Sequence, residues 1–236
     1  MSSSRLEHTI QTTNTYIIDV ESAAEQARLI DQETLLAAAT GGPLAEQPEE
    51  TLDGIHDVLD IGCGPGGWVR AVAQTYPHMQ VTGIDVSHAM VRYASAFAGV
   101  QGLDNASFSA MDVLQPLDFP DCAFDLVNAR FLGAVLPAAA WPGVVREYVR
   151  LLRPGGVLRL TETEMPLTNS AACEKLTELC LRAMRLAGYL VAPHERHACI
   201  APALGSFLRK AGCQQIQHRS CFLDYSPGTE EYWSMF

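Results

Sequence analysis

Basic side chains are scarce in this sequence of 236 residues, which has 16 Lys and Arg against 27 Asp and Glu and a formal net charge of −11 at pH 7. A chain with this charge balance repels phosphate backbones and anionic lipid surfaces. We therefore expect no nucleic acid partner and no membrane partner.

Long apolar runs are also missing. No window reaches the roughly 18 uninterrupted apolar residues that a membrane helix needs, and residues 1–11 lack the apolar stretch of a secretory signal. The seven cysteines are scattered and form no CxxC pair, which is typical of reduced thiols rather than of a disulfide framework. We expect a soluble, cytoplasmic protein.

Short apolar runs alternate with amphipathic segments along the chain, which predicts an α/β fold. The length and a hydrophobic content of 48% suit one such domain with appendages. We predict a doubly wound, mostly parallel sheet with helices on both faces. The predicted strands cover residues 56–61, 79–84, 106–110, 124–129, 156–162 and 215–224. The predicted helices cover residues 22–39, 68–73, 141–152, 170–190 and 201–211, and another begins after Ser87.

A glycine-rich turn follows the first predicted strand, where residues 62–67 read GCGPGG and satisfy G-x-G-x-x-G. Glycines there let the backbone approach a nucleotide at positions where a Cβ would clash. Asp85 ends the second predicted strand, 23 residues after Gly62, and can accept hydrogen bonds from both hydroxyls of a ribose. The pair predicts a nucleotide-containing cofactor.

Three features distinguish between the nucleotide cofactors that use such a turn. Asp60 precedes the first glycine by two residues, where a carboxylate suits an ammonium better than a pyrophosphate. Pro65 removes an N–H that a pyrophosphate would accept from. Asp112 follows the third predicted strand and can accept from the amine of an adenine. These features disfavour an NAD(P)-dependent oxidoreductase, which remains the alternative within enzymes.

At these residues the sequence resembles the class I S-adenosylmethionine-dependent methyltransferases of the small-molecule type. The similar segments are residues 58–66 (VLDIGCGPG), 83–87 (GIDVS), 111–112 (MD), 124–127 (FDLV) and 151–158 (LLRPGGVL). The resemblance implies S-adenosylmethionine as cofactor and methyl transfer to a small organic acceptor, at an O, N or C atom that the sequence leaves open. A catalytically silent S-adenosylmethionine-binding module is the alternative outside enzymes.

The resemblance also implies a set of cofactor-binding residues. Asp85 would hold the ribose, Asp112 the adenine amine, and the glycine loop the methionine part. The expected cofactor-binding residues are Asp60, Gly62, Cys63, Gly64, Gly66, Asp85, Val86, Met111, Asp112, Val113 and Asn128.

Substrate-side residues are harder to predict, because methyl transfer can proceed by alignment alone, without a general base. No catalytic residue is assigned. The candidates near the substrate are Tyr16, Arg130, Phe131, Glu162 and His194, with Glu164 beside them. Each has an ordinary structural alternative, such as aromatic packing for Tyr16 and a surface or capping role for Arg130. Residues 128–131 (NARF) depart from the Asn/Asp-Pro-Pro-aromatic signature of enzymes that methylate nucleic acid bases.

Two further expectations concern the remaining segments. His194, His197 and Cys199 have a spacing that a metal could use, but Pro193 and the loop-like composition argue against it, so we predict no metal. Residues 1–54 are expected to form an N-terminal helical lid and linker, and residues 55–236 the methyltransferase domain with a helical cap at about 165–200.

The end of the sheet departs from the family's usual form. Family members usually add an antiparallel seventh strand, but only 12 residues follow Asp224. A missing seventh strand would leave an open edge at the C-terminal side of the sheet, through which the chain could self-associate.

Overall fold

The computed structural model describes residues 22–192, 198 and 200–229. Five strands are present in this part of the chain: β1 (Asp57–Ile61), β2 (Gln80–Asp85), β3 (Ala106–Ala110), β4 (Phe124–Arg130) and β5 (Leu152–Thr161). The helices are α1 (Ala23–Thr40), α2 (Glu49–Leu52), α3 (Gly67–Thr75), α4 (His88–Val100), α5 (Trp141–Leu151), α6 (Ala171–Leu186) and α7 (Ile200–Lys210). Two 3-10 turns cover Leu132–Ala134 and Ala138–Ala140.

The strands form one parallel sheet in the order β3-β2-β1-β4-β5. Along the chain, β2 and β3 are therefore added on one side of β1, and β4 and β5 are then added on the other side. This reversal places the ends of β1 and β4 side by side, with Ile61 opposite Ala129. Ligands of doubly wound sheets bind at such a switch point, outside the carboxyl ends of the strands. The predicted fold class is confirmed.

Both faces of the sheet are covered. Consecutive β4 residues Leu126 and Val127 are fully buried and belong to different apolar clusters, one on each face. The cluster on the Leu126 face contains α3 side chains such as Trp68, while the opposite cluster contains side chains of α5 and α7. The strands alternate with these helices along the chain, as expected for a parallel sheet.

Residues 44–54, the last part of the expected lid and linker, contribute side chains to the core. Leu44 is completely buried and Leu52 is 9% exposed, and both belong to the α3-side cluster. The short helix α2 lies within this segment. These contacts connect α1 to the sheet.

Two of the described helices begin with a serine cap. Ser87 Oγ accepts a hydrogen bond from the Met90 N–H at the start of α4. Ser170 Oγ accepts one from the Cys173 N–H at the start of α6. Each bond satisfies one of the free N–H groups of a helix N-terminus.

The prediction of a strand at residues 215–224 is wrong. Gln215 has a φ of 51°, in the left-handed region, so the chain leaves the extended conformation at the first residue of the segment. Most of its side chains are exposed, and Phe222 is 80% exposed, so no apolar face packs against the sheet. The open C-terminal edge of the described sheet is β5 instead.

The helix expected within the cap is present as α6, but it is largely exposed along its length. Leu181 is its buried residue, whereas Leu176, Leu179 and Leu186 are all more than half exposed. That α6 covers the site stays a prediction. None of the described helices combines the length and the hydropathy required to cross a membrane.

Candidate functional site

Side chains pack closely against the inner side of the glycine loop between β1 and α3. Gly62 and Gly66 have φ values of 69° and 76°. A Cβ at Gly62 would lie 2.8 Å from Leu132 Cδ2, and one at Gly66 would lie 2.7 Å from the Phe108 ring. Both positions therefore require glycine for space as well as for backbone conformation.

Gly64 differs from its neighbours in what surrounds it. Its φ is 53°, yet the nearest atom to a built Cβ is Leu29 Cδ1 of α1, at 4.0 Å. The outer side of the loop is thus open and faces α1. Cys63 points inward instead: it is 5% exposed, and burial raises the pKa of its thiol well above the ordinary value.

Asp85, at the end of β2, is bonded directly to the glycine loop. Its Oδ2 accepts from the Gly64 N–H at 2.9 Å, and its Oδ1 accepts from the Ser87 N–H at 2.8 Å. Burial raises the pKa of this carboxyl, while the two backbone hydrogen bonds lower it. Each oxygen retains acceptor capacity, so the fixed carboxylate can accept one hydrogen bond more on each side.

The predicted adenine segment lies next to Asp85. The Met111 N–H donates to the Asp85 carbonyl at 3.0 Å. Asp112 Oδ1 accepts from the Leu114 N–H at 2.9 Å, which stabilises the turn after β3. Val86, Met111, Asp112 and Val113 are all partly exposed, so this segment lies at the surface of the site.

A row of polar side chains crosses the sheet on the α3 side. Asp60 of β1 is in register with Asn128 of β4, which is in register with Arg159 of β5. Asn128 Nδ2 donates to Asp60 Oδ1 at 2.7 Å, and Arg159 Nη1 donates to Asn128 Oδ1 at 2.8 Å. Asn128 is completely buried, so its amide links the acid to the guanidinium.

The Asp60 carboxylate has one oxygen without a hydrogen bond. Asp60 is 1% exposed, and its Oδ2 accepts from no residue of the described chain. Burial raises its pKa to about 6; the Arg130 charge and the Asn128 hydrogen bond oppose the rise, and the Glu33 charge adds to it. A buried carboxylate oxygen of this kind calls for a positively charged donor.

Arg130, at the end of β4, connects the row to α1. Its Nη2 lies 2.6 Å from Glu33 Oε2, and both side chains are largely buried. Its Nε is buried and donates to no described residue. The Trp68 ring lies below the guanidinium, 5.8 Å from Cζ to the ring centroid.

Arg159 makes a second, similar connection to the segment after α1. Its Nε donates to Glu46 Oε1 at 2.6 Å, and its Cζ lies 5.9 Å from the Trp68 ring centroid. Burial raises the pKa of Glu46, but the hydrogen bond and charge of Arg159 outweigh it, so the net shift is downward.

Phe131 and Glu162 occupy the next positions along the rim. Phe131 has a φ of 57°, and its N–H donates to the Thr161 carbonyl. The Glu162 carboxylate accepts from the N–H groups of Leu132 and Gly133 at 2.8 to 3.1 Å. Burial raises the pKa of Glu162 to about 7, against these backbone hydrogen bonds. Glu162 thus holds the turn whose Leu132 contacts the glycine loop.

The other candidates of the sequence lie elsewhere. Glu164 accepts from the Ala201 N–H near the start of α7. Tyr16 and His194 lie outside the described residues, as do His197 and Cys199. Among the residues that are described, no group of His, Cys, Asp and Glu could hold a metal ion. The absence of a metal therefore stays a prediction.

Four residues of this site were missed by the sequence analysis: Glu33, Glu46, Trp68 and Arg159. Arg159 had a signal, because it interrupts the apolar run of β5 between Leu158 and Leu160. Glu33 and Glu46 had none, since their partners are distant in sequence.

The residues present fit S-adenosylmethionine. The methionine end of this cofactor carries an ammonium and a carboxylate. The site offers a buried acid oxygen and a buried guanidinium N–H, neither of which has a partner among the described residues. Gly64, whose outer side is open, donates its N–H to Asp85, where a ribose would be held. The fold is Rossmann-like, and these groups are those expected of a domain that binds S-adenosylmethionine.

Comparison with known proteins shows what the central part of the chain is similar to. Residues 58–156 match the family described as methyltransferase domain. The match covers 99 of the 236 residues, so this part of the chain is similar to a methyltransferase domain. An S-adenosylmethionine-dependent methyltransferase from Aquifex aeolicus has the same fold, with a TM-score of 0.54 at 19% identity, covering 83% of this chain and 88% of that one.

Named relatives match less than half of the chain. Nocamycin O-methyltransferase of Saccharothrix syringae is 40% identical over 106 residues, which are 44% of this chain and 37% of the relative. Sterol 24-C-methyltransferase ERG6A of Gibberella zeae is 36% identical over 113 residues, 46% of this chain and 29% of the relative. Ajmaline N-methyltransferase of Rauvolfia serpentina is 37% identical over 105 residues, 44% and 33% of the two chains. The chain thus spans well under half of the length of these relatives.

Proposed function

We propose that this protein transfers a methyl group from S-adenosylmethionine to a small organic acceptor and releases S-adenosylhomocysteine. The observation that carries the proposal is the Asp85 carboxylate, fixed by the Gly64 N–H beside the open side of the glycine loop. The relatives named above act at O, C and N atoms, so they support a small-molecule acceptor without selecting the atom.

The cofactor supplies an electrophilic methyl group on a sulfonium, and displacement at that carbon depends mainly on alignment. The chain's part is to hold the cofactor at both ends. Asp85 would accept from the ribose hydroxyls, Asp112 from the adenine amine, and Asp60 from the ammonium. These roles rest on the positions of the carboxylates at the ends of β2, β3 and β1.

Glu162 is the acid whose pKa, about 7, would suit a general base. Its carboxylate already accepts two backbone N–H groups, which fixes it as a support for the turn after β4. We therefore assign Glu162 a positioning role and leave the reaction without a general base.

A nucleic acid acceptor is disfavoured by two observations. The formal net charge is −11. The Asn128 amide, which would have to meet a base, is engaged by Asp60 and Arg159 within the sheet.

Calorimetry with S-adenosylhomocysteine, followed by a screen for its release over small acids, phenols and amines, tests the proposal. We expect binding to the unmodified chain, a large loss in Asp85→Ala, and no binding of NADH. Binding without turnover on any acceptor would indicate a silent binding module. Binding of NADH instead would favour the oxidoreductase.

A further inference from the structure

The ion pair between Glu33 and Arg130 joins α1 to the cofactor region of the sheet. Glu33, Leu36, Ala37 and Thr40 lie on one face of α1 and line a narrow cleft whose other wall includes Trp68 and Arg130. Glu33 also packs on the start of α3, where a Cβ at Gly67 would lie 2.7 Å from Glu33 Cγ. The helix is therefore held closely against the glycine loop.

The charges around this ion pair do not balance. Three carboxylates (Glu33, Glu46 and Asp60) surround two guanidiniums (Arg130 and Arg159), which leaves one negative charge in excess. Asp60 Oδ2 and Arg130 Nε are buried without a hydrogen-bond partner in the described chain. An acid oxygen and a guanidinium N–H that are both unsatisfied form a receptor for a group carrying an ammonium and a carboxylate together.

The Glu33 carboxylate already occupies part of this receptor. Its Oε2 lies 2.6 Å from Arg130 Nη2, in the kind of charge-assisted contact that a ligand carboxylate would make with the same guanidinium. A ligand carboxylate on the same guanidinium would either lie beside Glu33, which would repel it, or take the place of Glu33.

We propose that Glu33 is an internal competitor of the cofactor: it holds Arg130 in the free chain and is displaced when the carboxylate of the methionine end binds the same guanidinium. This inference rests on the proposed function and assigns roles in the same site to two residues, Glu33 of α1 and Arg130 of β4. Arg130 then recognises the cofactor rather than a substrate. Because Glu33 lies on α1, binding of the methionine end is coupled to the position of that helix.

Two probes that differ only at the methionine end test the competition. S-adenosylhomocysteine has the carboxylate and the ammonium, whereas 5′-methylthioadenosine has the same adenosine and a thioether but neither charged group. The second probe therefore reports whether the rest of the site is intact in each variant.

Calorimetry is carried out on the full chain and on three variants. Glu33→Gln removes the competing charge, and we expect S-adenosylhomocysteine to bind about fivefold more tightly, with 5′-methylthioadenosine unchanged. Arg130→Gln removes the receptor, and we expect a loss of roughly tenfold to one-hundredfold for S-adenosylhomocysteine alone. Asp31→Asn removes an exposed charge from the same helix and should change neither affinity.

The outcomes separate this inference from the proposed function. Unchanged or weaker S-adenosylhomocysteine binding in Glu33→Gln overturns the competition, and weaker binding would make Glu33 a ligand of the ammonium. Equal loss of both probes in Arg130→Gln would mean that Arg130 only stabilises the fold, which also overturns it. If the unmodified chain binds neither probe, the proposed function fails and the competition fails with it.

Discussion

We predict that the Asp60 carboxylate destabilises the cofactor-free protein, although it contributes to cofactor binding. The carboxyl is completely buried, and burial raises its pKa from 3.8 to about 6 despite the nearby Arg130 and the Asn128 hydrogen bond. A raised carboxyl pKa means that the folded chain binds this proton more tightly than the unfolded chain does. Stability is therefore greatest when Asp60 is protonated, and it decreases as the pH rises through about 6.

The size of the effect follows from the shift. A difference of roughly two pKa units corresponds to about 3 kcal/mol between the two protonation states. Asparagine resembles the protonated acid in size and charge, and its Oδ1 can still accept from Asn128. We expect Asp60→Asn to unfold with a free energy up to about 3 kcal/mol higher than the unmodified chain above pH 7, and with no difference near pH 4.

Urea unfolding at a series of pH values from 4 to 8 measures this difference. Asp53→Asn, which removes an exposed acid near the start of the same domain, serves as the control and should show no pH-dependent change. A variant that is less stable at pH 8, or a difference that does not vary with pH, would refute the reasoning. Either result would mean that Arg130 offsets the burial of the acid in full.

The same variant should bind the cofactor less well. Without the carboxylate the ammonium of S-adenosylhomocysteine loses its charged acceptor, and we expect roughly tenfold to one-hundredfold weaker binding at pH 7.5. Higher stability together with lower affinity is the usual consequence of replacing a buried charge that a ligand requires. Calorimetry on the same Asp60→Asn protein measures the affinity, and the urea series measures the stability.

Four further predictions follow from other parts of the structure. Asp85→Ala should weaken S-adenosylhomocysteine binding by roughly 2 to 4 kcal/mol, because two hydroxyls lose a charged acceptor; a calorimetric loss below about threefold contradicts the ribose role. Gly64→Val should abolish binding and preserve the far-ultraviolet circular dichroism, since a φ of 53° disfavours valine and its side chain would enter the open side; unchanged binding would place the cofactor elsewhere. Tyr148→Phe should raise the free energy of unfolding by about 1 kcal/mol, because the buried hydroxyl has no described partner; a urea titration that shows destabilisation would reveal one. The outer edge of β5 pairs with no described strand, so we expect concentration-dependent self-association in light scattering; monomers at every concentration would exclude it.

The strands and glycine loop were predictable because their signals are local. The segment β1 is a short apolar run that ends at a glycine-rich turn, and β3 covers the predicted residues without any change of bounds. Asp85 was predictable for the same reason, since it ends a strand at a fixed distance from the loop.

The error at residues 215–224 has a physical cause. Ile216, Phe222 and Leu223 suggested a strand, but a strand also needs a partner and a buried face. The chain turns at Gln215 and leaves Phe222 exposed. Neither the positive φ of a glutamine nor the lack of a partner can be detected in a single sequence.

The polar row could not be predicted because it depends on register. Asp60, Asn128 and Arg159 come from three strands that are separated by 68 and 31 positions along the chain. Each strand could be predicted alone, but a shift of one residue in either pairing would turn one member of the row to the opposite, apolar face. Contact between the three side chains is therefore a property of the folded sheet.

The ion pairs made by Glu33 and Glu46 depend on the same register. Because Arg130 and Arg159 lie on the same face as Asp60, the segment that covers this face must bring its own carboxylates, which Glu33 and Glu46 provide. An apolar helix over the same face would have removed the ion-pair partners of two largely buried guanidiniums, at a cost of several kcal/mol. Glu33 and Glu46 thus allow α1 and the following segment to pack over the sheet while the cofactor is absent. A ligand carboxylate that takes over Arg130 removes one of these closing contacts, which is why cofactor binding and the position of α1 should be linked.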